Sequence, residues 1–278
     1  MAHGSAQQSV LISGVDAGGT TREVKVDAEG NLGVVFAVPA NARTGLIPAL
    51  VTLGGGTAGS LNKIQATPYT EQASAAQRSI SSSSASDAAA GVGARQVKIT
   101  YFDNTMAGPF TETVTLNGTT AVATVASDIR FIEKMEVVSV GSTGWNIGTI
   151  TLYVNNAGGG GTIGTIGLNN IAPTQGDNRT GWGHHYVPVD NTVSLATLIV
   201  STAGTASATF FLRKADPLMV SSPNELATGL IATSGAFTRA LAIPLVVVGP
   251  AVISAWMVPV SNNTTAYLSY DFSEVSNV

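Results

Sequence analysis

The sequence predicts an all-β protein: a jelly-roll-like β-sandwich preceded by an extended N-terminal arm or small β anchor. Two observations carry this. Almost no stretch keeps a helical period, whereas short β-branched runs bounded by Gly, Asn, Asp or Pro recur along the chain. About eight such runs follow one another at regular spacing from Arg95 to Lys214, a pattern typical of sandwiches and jelly rolls. The 278 residues are 44% apolar, which is ample for a core. Aromatics are only 6%, so Val, Ile, Leu and Ala must build most of it.

Taken in order, Met1 to Gln8 has no basic start followed by an apolar run, so no secretory signal is visible there. Ser9 to Phe36 reads as short strands around turns at Asp16–Gly19 and Glu29–Asn31. From Ala37 to Tyr69 the pattern loosens around Pro39, Pro48 and Pro68, and residues 1–70 are expected to be an arm or anchoring segment. Residues 71–94 read as a Ser/Ala/Gly-rich linker, with a short helix over Glu71 to Arg78 as the alternative at its start. Small residues of this kind bury too little apolar area to offset their ordering entropy.

Residues 95–278 read as the β-sandwich domain with its C-terminal strands. Val97, Ile99 and Tyr101 alternate with polar neighbours, and Asn117-Gly118 predicts a tight hairpin. Strands over Thr120–Val125, Ile129–Val140, Ile147–Val154, His184–Val189, Val193–Thr202 and Thr205–Lys214 follow. Ala240 to Tyr270 carries no charge, and Leu241 to Val260 has the length of a membrane span. Pro244, Pro250, Pro259 and a set of β-branched residues make it strands instead. In the last strand Ala266, Leu268, Tyr270 and Phe272 share one face.

Charge bounds the function. Only 11% of residues are charged, against about 25% in an ordinary soluble domain, so much of the exterior is expected to be covered by other protein. The net charge of −4 and thirteen scattered basic residues argue against a nucleic-acid surface. Cysteine is absent, which removes disulfides and thiolate sites. The GxGxxG matches at Gly54-Gly56-Gly59 and Gly159-Gly161-Gly164 open no periodic helix, so no cofactor is expected.

Strand parity sends His184 and His185 to opposite faces, which argues against a shared metal, and the third histidine is His3. Asp177 and Asp190 are the acids nearest the pair in sequence, read as surface groups, and a pH-responsive contact through these histidines is conceivable. Glu133 and Glu136 differ in parity, and no acid pair or GxSxG serine is nominated for catalysis. No catalytic, cofactor-binding or metal residues are expected. Trp145 and Trp182 are the candidates for a glycan or interface contact, weighed against the commoner role of indoles as core anchors.

Three places resemble structural proteins of tailed bacteriophages. SVLISGVDAGGTTREVKVDAEGNL (Ser9 to Leu32) resembles an N-terminal segment of phage virion proteins. Ala89 to Thr120, continuing through Asp128 to Val154, resembles a β domain of head- or tail-associated proteins, and Tyr186 to Asp216 with Asn262 to Phe272 resembles its later strands. The resemblance implies a homo-oligomer, a trimer first, on the surface of the virion. It implies a capsid decoration, cement or head-fibre protein bound to the major capsid protein. The alternative is a tail, collar or fibre protein that binds host surface glycan, and a polysaccharide depolymerase ranks third. No membrane or nucleic-acid partner is expected.

Overall fold

The computed structural model describes residues 14–15, 21–22, 25–26, 32–33, 43–49, 58–59, 61–65, 67–168, 176–202, 207–215, 217, 224–231, 235–261 and 266–277. All regular structure among them is β, and Met1–Ala40 and Asn41–Val278 are two compact units. In the first unit β1 (Gly14–Val15) pairs with β2 (Thr21–Arg22), and β3 (Lys25–Val26) with β4 (Leu32–Gly33). The pairs flank the two predicted turns, whose own residues lie outside the described ones, as do the expected strand over Val10–Ser13, His3, and residues 50–57 of the expected arm.

The second unit begins with β5 (Arg43–Ala49) and β6 (Asn62–Lys63) and continues through β7 (Ser79–Ser82), β8 (Ala94–Phe102), β9 (Phe110–Thr115), β10 (Val122–Ala123), β11 (Phe131–Val140), β12 (Ile150–Tyr153) and β13 (Thr162–Ile166). Sheets ordered β10-β7-β12-β13 and β11-β8-β9 enclose one core, with Ile80, Ile150, Leu152 and Ile163 facing Val97, Ile99, Val114 and Met135. The strands after them are β14 (His184–Val187), β15 (Asn191–Thr202), β16 (Ala208–Ala215), β17 (Asn224–Ile231), β18 (Gly235–Val248), β19 (Ala251–Pro259) and β20 (Ala266–Ser276). Sheets ordered β14-β19-β16-β17, with β6 on β19, and β18-β15-β20-β5 enclose a second core around Val193, Leu195, Phe210, Leu212, Ile253, Met257 and Tyr270.

The expected single domain over 95–278 is therefore two sandwiches, because its strands bury their apolar faces in two separate cores. The first sandwich is inserted in the second: β5 and β6 precede it, and β14 to β20 follow it. The expected arm is corrected accordingly over 43–49 and 62–63, where β5 pairs with β20 and β6 with β19. Leu241 to Val260, the stretch tested as a membrane span, is the end of β18 and all of β19. Between Leu245 and Ala240 the register of β18 on β15 shifts, at Pro244, which has no N–H to offer the ladder.

Residues 71–94 are not a linker, and no helix forms over Glu71 to Arg78. Ser79 to Ser82 is an interior strand whose four residues are all buried. Serine suits the position because each hydroxyl finds a partner: Ser79 donates to Asn155 O at 2.6 Å, Ser81 to the Tyr153 hydroxyl at 3.3 Å and Ser82 to Asp87 at 2.6 Å. Asp87, itself buried, also accepts from the backbone N–H of Ala94, Ile147 and Gly148 at 2.7, 3.0 and 2.8 Å. At the other end of the strand the buried Arg78 guanidinium donates to the carbonyls of Ile129, Val154 and Ser74. Polar satisfaction, rather than apolar area, orders this segment.

The Asn117-Gly118 turn is tight, with Gly118 at φ 58°, but it is not a hairpin between paired strands. β9 lies in the sheet of β8 and β10 in the sheet of β7, so the turn carries the chain across the first sandwich. Gly118 is held there by donating to Asp87 O and accepting from Ser82 N, both at 2.9 Å.

Candidate functional site

The site lies on β14, where both faces of a strand are buried. Residues of one parity, Trp182, His184 and Tyr186, turn to the first core, and those of the other, His185 and Val187, turn to the second. Alternation along one strand thus gives two adjacent histidines entirely different surroundings. The sequence expectation that they face apart holds.

His184 sits among aromatic rings. Its centroid is 4.5 Å from Tyr69, 5.0 Å from Phe131 and 5.5 Å from Trp182, the last stacked at 27°. Its Nε2–H donates to Ile132 O at 3.1 Å, which fixes the neutral tautomer with its proton on Nε2. Burial, reinforced by the positive charge of Lys63, holds its pKa well below the ordinary histidine value.

His185 is instead gripped by two carboxylates. Nδ1 lies 2.7 Å from Glu133 Oε1 and Nε2 lies 3.0 Å from Glu274 Oε2. The three side chains are 0%, 12% and 1% exposed for His185, Glu133 and Glu274. Phe272 covers the imidazole at 4.3 Å, and Asn191 donates to the second oxygen of Glu274 at 2.6 Å. Burial alone would lower the His185 pKa, but the hydrogen bonds and charges of Glu133 and Glu274 outweigh it, and the net direction is upward. When protonated, His185 donates from both nitrogens, one to each carboxylate.

Glu133 reaches this position through a register shift. Ile132 pairs with Tyr101 and Lys134 with Thr100, so Glu133 is an extra residue in β11 with no opposite number on β8. A bulge of this kind bends the strand and re-aims the side chain. Glu136, two pairs further on, joins Lys98 and Lys134 at 3.1 Å, and these lysines hold its carboxyl below the usual range despite partial burial. The expected divergence of Glu133 and Glu136 is what the two sets of partners describe.

Asp177 and Asp190, the acids nearest the histidines in sequence, do not meet them; both are exposed. The partners come from 52 residues before and 89 residues after His185. Glu274 had a signal in the sequence, since it continues the Tyr270, Phe272 face of β20. Glu133 had none, because a bulge cannot be read from strand alternation.

Trp182 is corrected as a glycan candidate. It is 4% exposed, packs 4.7 Å from Tyr69, donates to Thr67 Oγ1 at 3.3 Å, and covers Gly164. It is a core anchor, with no face left for a sugar. Trp145 is half-buried in the turn after β11, where its carbonyl accepts from Thr143 at 2.9 Å. The second glycine motif runs from the β12–β13 turn into β13 and forms no helix, with Asn155 Oδ1 accepting from Gly159 N at 2.8 Å. Among the described residues no group of three potential ligands is placed to hold a metal ion, and no helix is long and apolar enough to cross a membrane.

No family model and no curated protein matches the chain. Among solved structures, the infectious bursal disease virus VP2 subviral particle aligns at 11% identity over 85% of this chain and 71% of that chain, with a TM-score of 0.21. The Gt strain of the same virus aligns at 9% identity over 84% and 71%, also at 0.21, and the Gx strain at 10% over 84% and 71%, at 0.20. A TM-score of this size carries no argument about fold or function.

Proposed function

We propose that this chain is a structural component of a tailed-phage virion, a capsid decoration, cement or head-fibre protein that assembles as a homotrimer on the major capsid protein. One observation carries the reading. Ala240 to Tyr270 has no charged residue, yet it forms the end of β18, all of β19 and half of β20, and its exposed side chains include Val246, Val248 and Val260 at 60%, 53% and 69%. Uncharged strand surface of this kind suits burial against other protein chains. The phage-like segments from Ser9 to Leu32 and Ala89 to Val154 support the particle as the place of assembly. The polar clusters described above, at Arg78, Asp87 and His185, are enclosed by the fold, and the reading assigns no catalysis to them.

The alternative, a tail, collar or fibre protein recognising host glycan, now rests on Trp145 alone. Quantitative mass spectrometry of purified virions separates the readings. Hundreds of copies per particle support the capsid lattice, a handful supports neck or tail, and absence from the particle overturns a virion role.

A further inference from the structure

The chain has a single Asn-Gly pair, Asn117-Gly118, in the turn that crosses the first sandwich between β9 and β10. In such a pair the glycine nitrogen can attack the asparagine side-chain carbon, since glycine carries no Cβ to obstruct the approach. Asn117 is exposed to water, so its amide is not shielded by burial, whereas Gly118 is buried. We propose that Asn117 is a latent deamidation site, closed by the hydrogen-bonded backbone of the native fold and opened only when this crossing lifts away from Asp87.

The argument is one of peptide-plane orientation. Asn117 C=O and Gly118 N–H are the two ends of one planar peptide unit. Both ends are tied: Asn117 O accepts from Thr120 N at 3.1 Å, and Gly118 N donates to Asp87 O at 2.9 Å. The flanking groups are tied as well. Leu116 N donates to Arg95 O at 2.9 Å, Leu116 O accepts from Ala89 N at 3.1 Å, and Gly118 O accepts from Ser82 N at 2.9 Å. To reach Asn117 Cγ the glycine nitrogen must rotate with its whole plane, which breaks the bonds at both ends. Asp87 cannot follow the movement, because its carboxylate is held by Ser82, Ala94, Ile147 and Gly148. The space is also closed, since a Cβ on Gly118 would stand 3.0 Å from Ala85 Cα.

Once the plane is free, the Gly118 nitrogen gives its proton to solvent base and bonds to Asn117 Cγ. The side-chain nitrogen takes up a proton and leaves as ammonia, and a succinimide ring remains. Water then opens the ring: cleavage at Cγ leaves aspartate, and cleavage at the backbone carbonyl leaves isoaspartate. Either product carries a new negative charge. Isoaspartate also lengthens the main chain by one methylene carbon, so Asn117 O and Gly118 N no longer share one peptide plane and the paired bonds to Thr120 and Asp87 cannot re-form as they were. The change is therefore one-way and accumulates with the openings of the crossing.

The test uses the whole chain, incubated in mildly alkaline buffer with and without denaturing urea, and peptide mapping that counts aspartate and isoaspartate at position 117. The native protein should convert at least about tenfold more slowly than the unfolded one, as a site gated by local opening does. The slowing should be at least as large as the protection of the Gly118 amide against hydrogen exchange, because that N–H must be freed for both. Asp87→Ala, which loosens the segment that holds Gly118, should raise the native rate about tenfold or more and leave the rate in urea unchanged. Conversion of the native protein at the unfolded rate, slowing smaller than the Gly118 protection, or an Asp87→Ala rate equal to wild type overturns the proposal. Aspartate formed without isoaspartate overturns the ring route. Should Asp87→Ala fail to fold, the wild-type comparison of deamidation with Gly118 exchange decides alone.

Discussion

The indole of Trp182 lies against Gly164 so closely that a Cβ on Gly164 would come within 2.1 Å of its Cζ2. β13 and the start of β14 are thereby locked together through a residue that has no side chain. Gly164→Ala should destabilise the protein by about 1–3 kcal/mol, as overpacking of a well-filled core does. Thermal unfolding would register this as a fall of about 2–4 °C per kcal/mol for a unit of this size. An unchanged Tm would mean that the indole is not held where it stands.

Trp182→Ala and Trp145→Ala should separate cleanly. Loss of the buried indole should cost about 3–5 kcal/mol. Loss of Trp145, half-buried in a turn, should leave the fold intact. Glycan-array binding that disappears in a folded Trp145→Ala protein would revive the receptor-binding reading, and wild-type protein without glycan binding would close it.

Asp87 gathers four buried donors, from Ser82, Ala94, Ile147 and Gly148. Asp87→Ala leaves all four without an acceptor and should cost about 3–5 kcal/mol, more than a typical surface substitution by an order of magnitude. In urea the midpoint should fall with little change in slope. A small effect would show that water enters and replaces the carboxylate.

The adjacent histidines should bend the pH profile of stability in opposite directions. His184 has a depressed folded pKa, so the unfolded chain takes up its proton first, and stability falls as pH drops below about 6.5. His185 has a raised folded pKa, so its contribution is complete below about 6.5 and fades as pH rises through the folded value. His184→Phe should remove the acid-side slope and leave the alkaline side in place. Denaturant midpoints measured from pH 5 to 9 would show both limbs, and a single limb would mean that one histidine titrates freely.

The all-β class was legible because strand alternation and turn residues are local signals, and β8, β12, β15 and β20 fall where those signals lie. The division into two cores was not, because each strand's apolar face reads the same whichever core receives it. The interior position of Ser79 to Ser82 escaped a reading based on apolar area, since its order comes from hydroxyl and carboxylate pairing with Asn155, Tyr153 and Asp87. At the site, parity correctly turned His184 and His185 apart. Their partners depended on a bulge at Glu133 and on a strand 89 residues away, and neither leaves a mark near the histidines.

The insertion of one sandwich inside the other sets an order of events during synthesis. The first sandwich has all its strands once residue 166 has emerged, with β14 close behind. The second must wait for β20, made long after β5, because it lies between β15 and β5 in the sheet. Until then β5 has no partner strand and shows a bare edge, the kind of surface on which nascent chains pair wrongly. Closing a sheet across more than two hundred residues is intrinsically slow. Until β20 is made, one half of the fold has all its strands while the other lacks an interior one, and β20 of a neighbouring copy would fit that open edge by strand exchange.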